Sequence, residues 1–148
     1  MKWIHAIAVS AIIGVSGYLG VVGIPIAVLV GFMILDYISG VARALITGAL
    51  SSKVGARGIV KKLCYMLVVA VGAGADYLIH GGLSGLGASI APLDGAPFFC
   101  LAVTAWLIVN ELISILENSG AMGLPIPEWL KKALRQLRDK ADGDGEGK

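Results

Sequence analysis

Four stretches of this chain, residues 3–22, 25–47, 63–79 and 97–116, are apolar and each is 17 to 23 residues long. A helix rises about 1.5 Å per residue, so roughly 17 to 25 apolar residues cross a hydrocarbon core about 30 Å thick. All four meet that length, the third only just. The connections between them are too short for a soluble catalytic domain, and with 57% hydrophobic and 15% charged residues the chain falls outside the usual range of soluble domains. The pattern predicts an all-α integral membrane protein with four transmembrane helices, three being the alternative count. Residues 1–120 form the transmembrane domain, and residues 121–148 a cytoplasmic amphipathic helix with a disordered charged tail. The apolar run after Lys2 passes the usual length of a signal-peptide core and has no clear cleavage site, so it reads as a retained anchor.

The cations orient these spans. Lys2 precedes the first; Lys53, Arg57, Lys61 and Lys62 lie between the second and third; Lys131, Lys132, Arg135, Arg138, Lys140 and Lys148 follow the fourth. The connections at 23–24 and 80–96 contain neither Lys nor Arg. By the positive-inside rule the basic segments are cytoplasmic, which an even number of spans with both termini inside satisfies throughout. Gly23, Ile24 and Pro25 then form a tight turn between two antiparallel spans. Cys64 and Cys100 fall at opposite faces, too far apart for a disulfide, and both read as buried apolar residues.

Small residues recur at helical spacing. Gly14, Gly17 and Gly20 do so in the first span, and Gly40, Ala44 and Gly48 in the second. Such stripes let helix backbones approach closely, within one chain or between copies. Beside them stand ionisable and polar groups that a membrane span tolerates only with partners: Asp36, Arg43, Asp76, Asn110 and Glu111. Helical rise puts Asp36 about 16 Å below Pro25, near mid-bilayer, and leaves Arg43 within side-chain reach of Glu111. These residues are read as an intramembrane polar seam, either fixing the packing of spans two and four or facing water. After Pro127, Leu130, Leu134, Leu137 and Ala141 share one helical side and the cations take the other, which predicts a basic amphipathic helix on the inner leaflet, headed by Trp129.

The sequence holds no phosphate-binding Gly-rich loop, no Cys/His cluster with metal-ligand spacing and no nucleophile beside a base, so neither catalysis, cofactor nor metal is expected. The basic loop lacks aromatic interleaving, so nucleic acid is not an expected partner either.

Two blocks carry a family likeness. LDYISGVARALITGALSSKVGARGIVKKL, from Leu35 to Leu63, and NELISILENSGAMGLPIPEWLKKAL, from Asn110 to Leu134, resemble the toxin-secretion and phage-lysis holins, with Asp76 at a family-like position between them. The residues that carry the match are Asp36, Gly40, Arg43, Ser51, Ser52, Lys53, Gly58 and Lys62 in the first block. In the second they are Asn110, Glu111, Glu117, Asn118, Gly123, Pro125 and Pro127. The resemblance implies a protein that accumulates in the host bacterial cytoplasmic membrane and oligomerises into a lesion or pore that releases an endolysin or a toxin and lyses the cell. Its implied partners are the lipid bilayer and further copies of itself, with an endolysin or toxin as functional partner without direct contact, and an antiholin as a further candidate. Readings of a different class are a small ion channel or transporter subunit, or a membrane scaffold that forms no pore.

Overall fold

In the computed structural model, which describes residues 2–49, 51–82, 85 and 96–142, the chain is helical with no strand among the described residues. Helix α1 spans Lys2–Ile46 and α2 Ser52–Tyr77, the latter running on into a π-helical turn at Leu78–Gly82. Helix α3 spans Phe98–Ala121 and α4 Glu128–Ala141. Among the described residues three segments are long and apolar enough to cross a membrane: Gly17–Ile46, Gly55–His80 and Phe98–Ala121. The expected loop at 80–96 and the charged tail at 143–148 lie largely or wholly outside the described residues.

The four-span expectation gives way to three because α1 runs unbroken through Gly23, Ile24 and Pro25. Proline removes one N–H and crowds the carbonyl four residues back. A two-residue turn would instead free the last carbonyls of one helix and the first N–H groups of the next, each costing several kcal/mol without water. Packing also favours continuity. Val22, Leu29 and Met33 are buried on one face that runs past Pro25, in a core completed by Val69 of α2 and by Cys100 and Leu107 of α3. A turn at Gly23 would split that face.

The connection from α1 to α2 is short for a different reason. Gly48 takes a φ of 69°, the left-handed region that glycine enters without penalty, and the Ala49 N–H then donates to the Ala44 carbonyl at 2.9 Å. This closes the C-terminus of α1 in the manner of a Schellman motif. Gly48 is therefore a helix stop and does not extend the stripe of Gly40 and Ala44.

Helix α3 is the centre of the bundle. It packs against both α1 and α2, which scarcely touch each other among the described residues, and α4 folds back onto it. Most large apolar side chains point outward, among them Ile24, Leu67, Val71 and Tyr77, each at least two-thirds exposed. In water such a surface would aggregate; in hydrocarbon it is the expected exterior. Cys64 belongs to it, correcting the expectation that it is buried, whereas Cys100 is buried and both thiols are free.

Candidate functional site

Counting along the helices brings three charged residues to one level. Asp36 lies ten residues before the end of α1, Lys62 ten after the start of α2, and Glu111 ten before the end of α3. Each is thus about 15 Å from the end of the bundle that carries the α1–α2 connection. The side chains meet there. The Lys62 ammonium donates to Asp36 Oδ2 at 2.8 Å and to Glu111 Oε2. Glu111 is 1% exposed and Lys62 16%, so the pairing is held largely away from solvent.

Asn118, one helical face along from Glu111, completes the cluster. Its Nδ2 donates to Asp36 Oδ1 at 3.2 Å and to Ser39 Oγ at 3.1 Å, and its Oδ1 accepts from Arg43 Nη1 at 3.3 Å. Two carboxylates and two cations therefore balance formally, and the buried amide uses both its donor and its acceptor. Balance and saturation are what a charge cluster inside hydrocarbon requires, since unpaired charge or an unsatisfied amide there costs several kcal/mol. The cluster borders a cleft of about 850 Å³ that opens between α1 and α2, with Gly40 and Ala44 on one wall, Gly55 and Gly58 on the other, and Ser114 and Asn118 of α3 between them.

A second polar tier lies about 21 Å away along α2, fourteen residues beyond Lys62. Here Asp76, 2% exposed, accepts the backbone N–H groups of Phe99 at 2.8 Å and of Cys100 at 2.9 Å, with the Tyr18 hydroxyl donating at 3.4 Å. These amides are the second and third of α3, which has Pro97 as its cap residue and therefore no capping side chain of its own. The carboxylate of another helix thus fills the place of an N-cap and meets the positive end of the helix dipole. Gly72, one turn before Asp76, makes the approach possible: a Cβ there would stand 3.1 Å from the Cys100 Cα and from the Phe99 carbonyl oxygen.

The structure thus divides the residues read as one seam. Asp36 and Glu111 come together, but through Lys62, a cation of the basic segment between the second and third apolar runs. Arg43 bonds neither carboxylate and instead reaches Asn118. Asp76 belongs to the distant tier, and half-buried Asn110 joins neither. Arg57, Lys61 and Lys62 all lie on α2, because the helix begins at Ser52, eleven residues before the apolar run. Lys61 packs its ammonium 5.3 Å from the centre of the Tyr65 ring. Among the small residues, a Cβ at Gly40 would meet Asn118 Nδ2 at 3.6 Å, whereas Gly17 and Gly20 have no neighbour within 4 Å. Gly14 is on α1, and its surroundings lie outside the described side chains, as do those of Lys53. At the chain's other end, Lys131 pairs with Glu128 and Arg135 with Glu117; Lys132 is exposed and Arg138 stands 3.6 Å from Asp139.

Lys62, Asn118, Ser39, Tyr18 and Gly72 are site residues that the apolar runs did not single out. Lys62 was legible in principle, since extending the helix back to Ser52 places it level with Asp36. Among the described residues no group of three or more His, Cys, Asp or Glu is arranged to hold a metal ion.

The profile of the bacteriophage holin family matches residues 14–139, which include all of this machinery. The chain belongs to the bacteriophage holin family. This holin family member is 39% identical over 149 residues to an uncharacterised protein of Listeria innocua serovar 6a, an overlap covering 100% of this chain and 96% of the relative. It is also 39% identical over 116 residues to an uncharacterised protein of Clostridium perfringens (strain 13 / Type A), with 78% and 76% of the two chains covered. A third uncharacterised relative, from Halalkalibacterium halodurans, is 35% identical over 138 residues, 93% of each chain. No solved structure matches the chain.

Proposed function

We propose that this protein is a lysis holin: it accumulates in the bacterial cytoplasmic membrane and assembles into a lesion through which an endolysin, or a secreted toxin, leaves the cell. The observation that carries this reading is the family match over residues 14–139, in a chain whose three long apolar helices suit a bilayer. The Asp36–Lys62–Glu111 cluster gives it a physical basis. It ties three helices that bury little apolar surface together, so each copy is held as a unit by a few polar bonds that water can replace. While copies are dispersed, the balanced cluster tolerates hydrocarbon. Once they crowd, the cleft between α1 and α2 offers glycine-lined walls to a neighbouring helix and charged groups to entering water.

Three crossings revise the orientation. With the α1–α2 connection and α4 inside, 11 of the 12 Lys and Arg residues lie at or toward the cytoplasmic side, and the N-terminus with Lys2 lies outside. The proposed topology is therefore N-out and C-in.

Induced expression in a bacterium, with and without a co-expressed endolysin, tests the function. The expected result is an abrupt collapse of membrane potential at a set time and lysis that depends on the endolysin. Sustained growth with steady solute flux would replace this reading by a channel or transporter subunit. Neither effect would leave a scaffold that opens no path.

A further inference from the structure

Helix α4 runs back along α3 instead of leaving the bundle at its end. Arg135 Nη2 stands 3.1 Å from Glu117 Oε1, and the Trp106 indole N–H donates to Asp142 Oδ1 at 2.6 Å. Trp106 lies fifteen residues before the end of α3, so the end of α4 is alongside the span about 22 Å in from that side. This is past the middle of a hydrocarbon core about 30 Å thick.

Such a position does not suit lipid. The last two turns of α4 and the residue after it carry Arg135, Arg138, Asp139, Lys140 and Asp142. Ionised side chains near mid-bilayer cost about 2.5 to 3.5 kcal/mol each on the insertion scale. Of the contacts that hold α4, the Arg135–Glu117 pair is more than half exposed on both sides, of a kind that contributes about 0 to 1 kcal/mol, Trp106–Asp142 is a single bond, and the apolar side chains Leu130 and Leu134 are only half-buried. The docked helix also leaves Trp129 71% and Leu137 56% exposed, and Leu124 in the preceding connection is exposed as well. Those side chains, together with the cations of α4, match an anionic lipid surface.

We propose that α4 has two positions and serves as a movable lining. With copies dispersed in lipid it lies on the inner leaflet. When the α3 flank comes to face water, α4 docks along α3 through Glu117 and Trp106, covers the apolar flank and presents its charges to the opening. This inference rests on the lysis reading and adds to it the element that makes the wall of the lesion hydrophilic. The weakness of the docking contacts belongs to the device, since neither position is locked.

The full-length protein is reconstituted in vesicles of phosphatidylglycerol and phosphatidylethanolamine, with Cys64→Ala, Cys100→Ala and Ala141→Cys, the new thiol carrying bimane beside the intact Asp142. Trp106 quenches bimane only on contact, and the same protein with Trp106→Phe gives the unquenched level. Bimane emission is expected to equal that level at low protein-to-lipid ratio and to fall as an entrapped dye escapes at high ratio. Dye release with unchanged bimane emission overturns the proposal alone, as does quenching that is already complete in the dispersed state. Absence of dye release at any ratio overturns the lysis reading, and the proposal with it. A second arm uses charge exchange: Arg135→Glu should slow dye release and Glu117→Arg with Arg135→Glu should restore it. Equal slowing in the single and paired variants counts against the docking.

Discussion

The Lys62 ammonium lies 2.8 Å from Asp36 Oδ2, and this pair joins two helices whose backbones are otherwise held apart by α3. Its replacement has a predictable asymmetry. Lys62→Ala leaves two carboxylates without their cation, a change that costs about 3 to 5 kcal/mol when the site is buried. The triple change Lys62→Met, Asp36→Asn, Glu111→Gln removes charge of both signs together and should cost much less. Unfolding in mild detergent, followed by helical circular dichroism, compares them. A triple variant as unstable as Lys62→Ala would show that the cluster does not work by charge balance.

Arg43 behaves differently because its partner is the neutral amide of Asn118. Arg43→Ala forfeits one bond at a half-open position and should lower stability by only about 1 kcal/mol. It also exposes the cleft bordering Asp36 to a new balance of charge, so the lysis time should shift. Lysis curves at matched expression check this, and unchanged timing would remove Arg43 from the proposed lysis mechanism.

At the other tier, Gly72→Ala places a methyl group 3.1 Å from the α3 backbone. Overpacking of this kind costs about 1 to 3 kcal/mol. Asp76→Ala removes the acceptor for the Phe99 and Cys100 amides and should cost about 0.5 to 2 kcal/mol, as loss of a cap does. The two effects should be less than additive, because a displaced α3 has already lost the carboxylate. Gly17→Ala is the control: with open space around it, the helix should gain slightly. Melting temperatures of the three single variants, the Gly72→Ala/Asp76→Ala double variant and the unmodified protein in one detergent decide the matter.

Three crossings make a prediction about sidedness. A cysteine replacing Trp3 should react with an impermeant maleimide added to intact spheroplasts, and one replacing Ser52 only after the membrane is opened. Reaction of both positions from outside, or protection of both, would contradict the N-out, C-in topology.

The helical class, the basic amphipathic nature of α4 and the family were legible from hydropathy and two sequence blocks. The break at Gly23–Pro25 was not, because local turn chemistry favours a stop there while the burial of Val22, Leu29 and Met33 against α3 favours continuation, and sequence displays only the first. Lys62 was not, because it adjoins the apolar run at Leu63 as the last of four cations, and its two carboxylate partners are supplied by other helices. Asp76 was noticed for its depth, but its work on the α3 amides depends on Pro97 lacking a cap and on Gly72 being one turn earlier. Those relations join residues far apart in the chain, and only the bundle brings them into contact.

Helix α1, 45 residues long, measures about 68 Å, more than twice the hydrocarbon it must pass through. A thin bilayer leaves its first turns, with Trp3, Ile7 and Val9 outward, standing in water, and a thicker one swallows more of them. Tilting shortens the upright height, but neighbours pressed side by side must lean together or not at all. If copies assemble as proposed, the thickness of the surrounding lipid should set how strongly these oversized shafts align, which makes acyl-chain length a dial on the proposed lysis time.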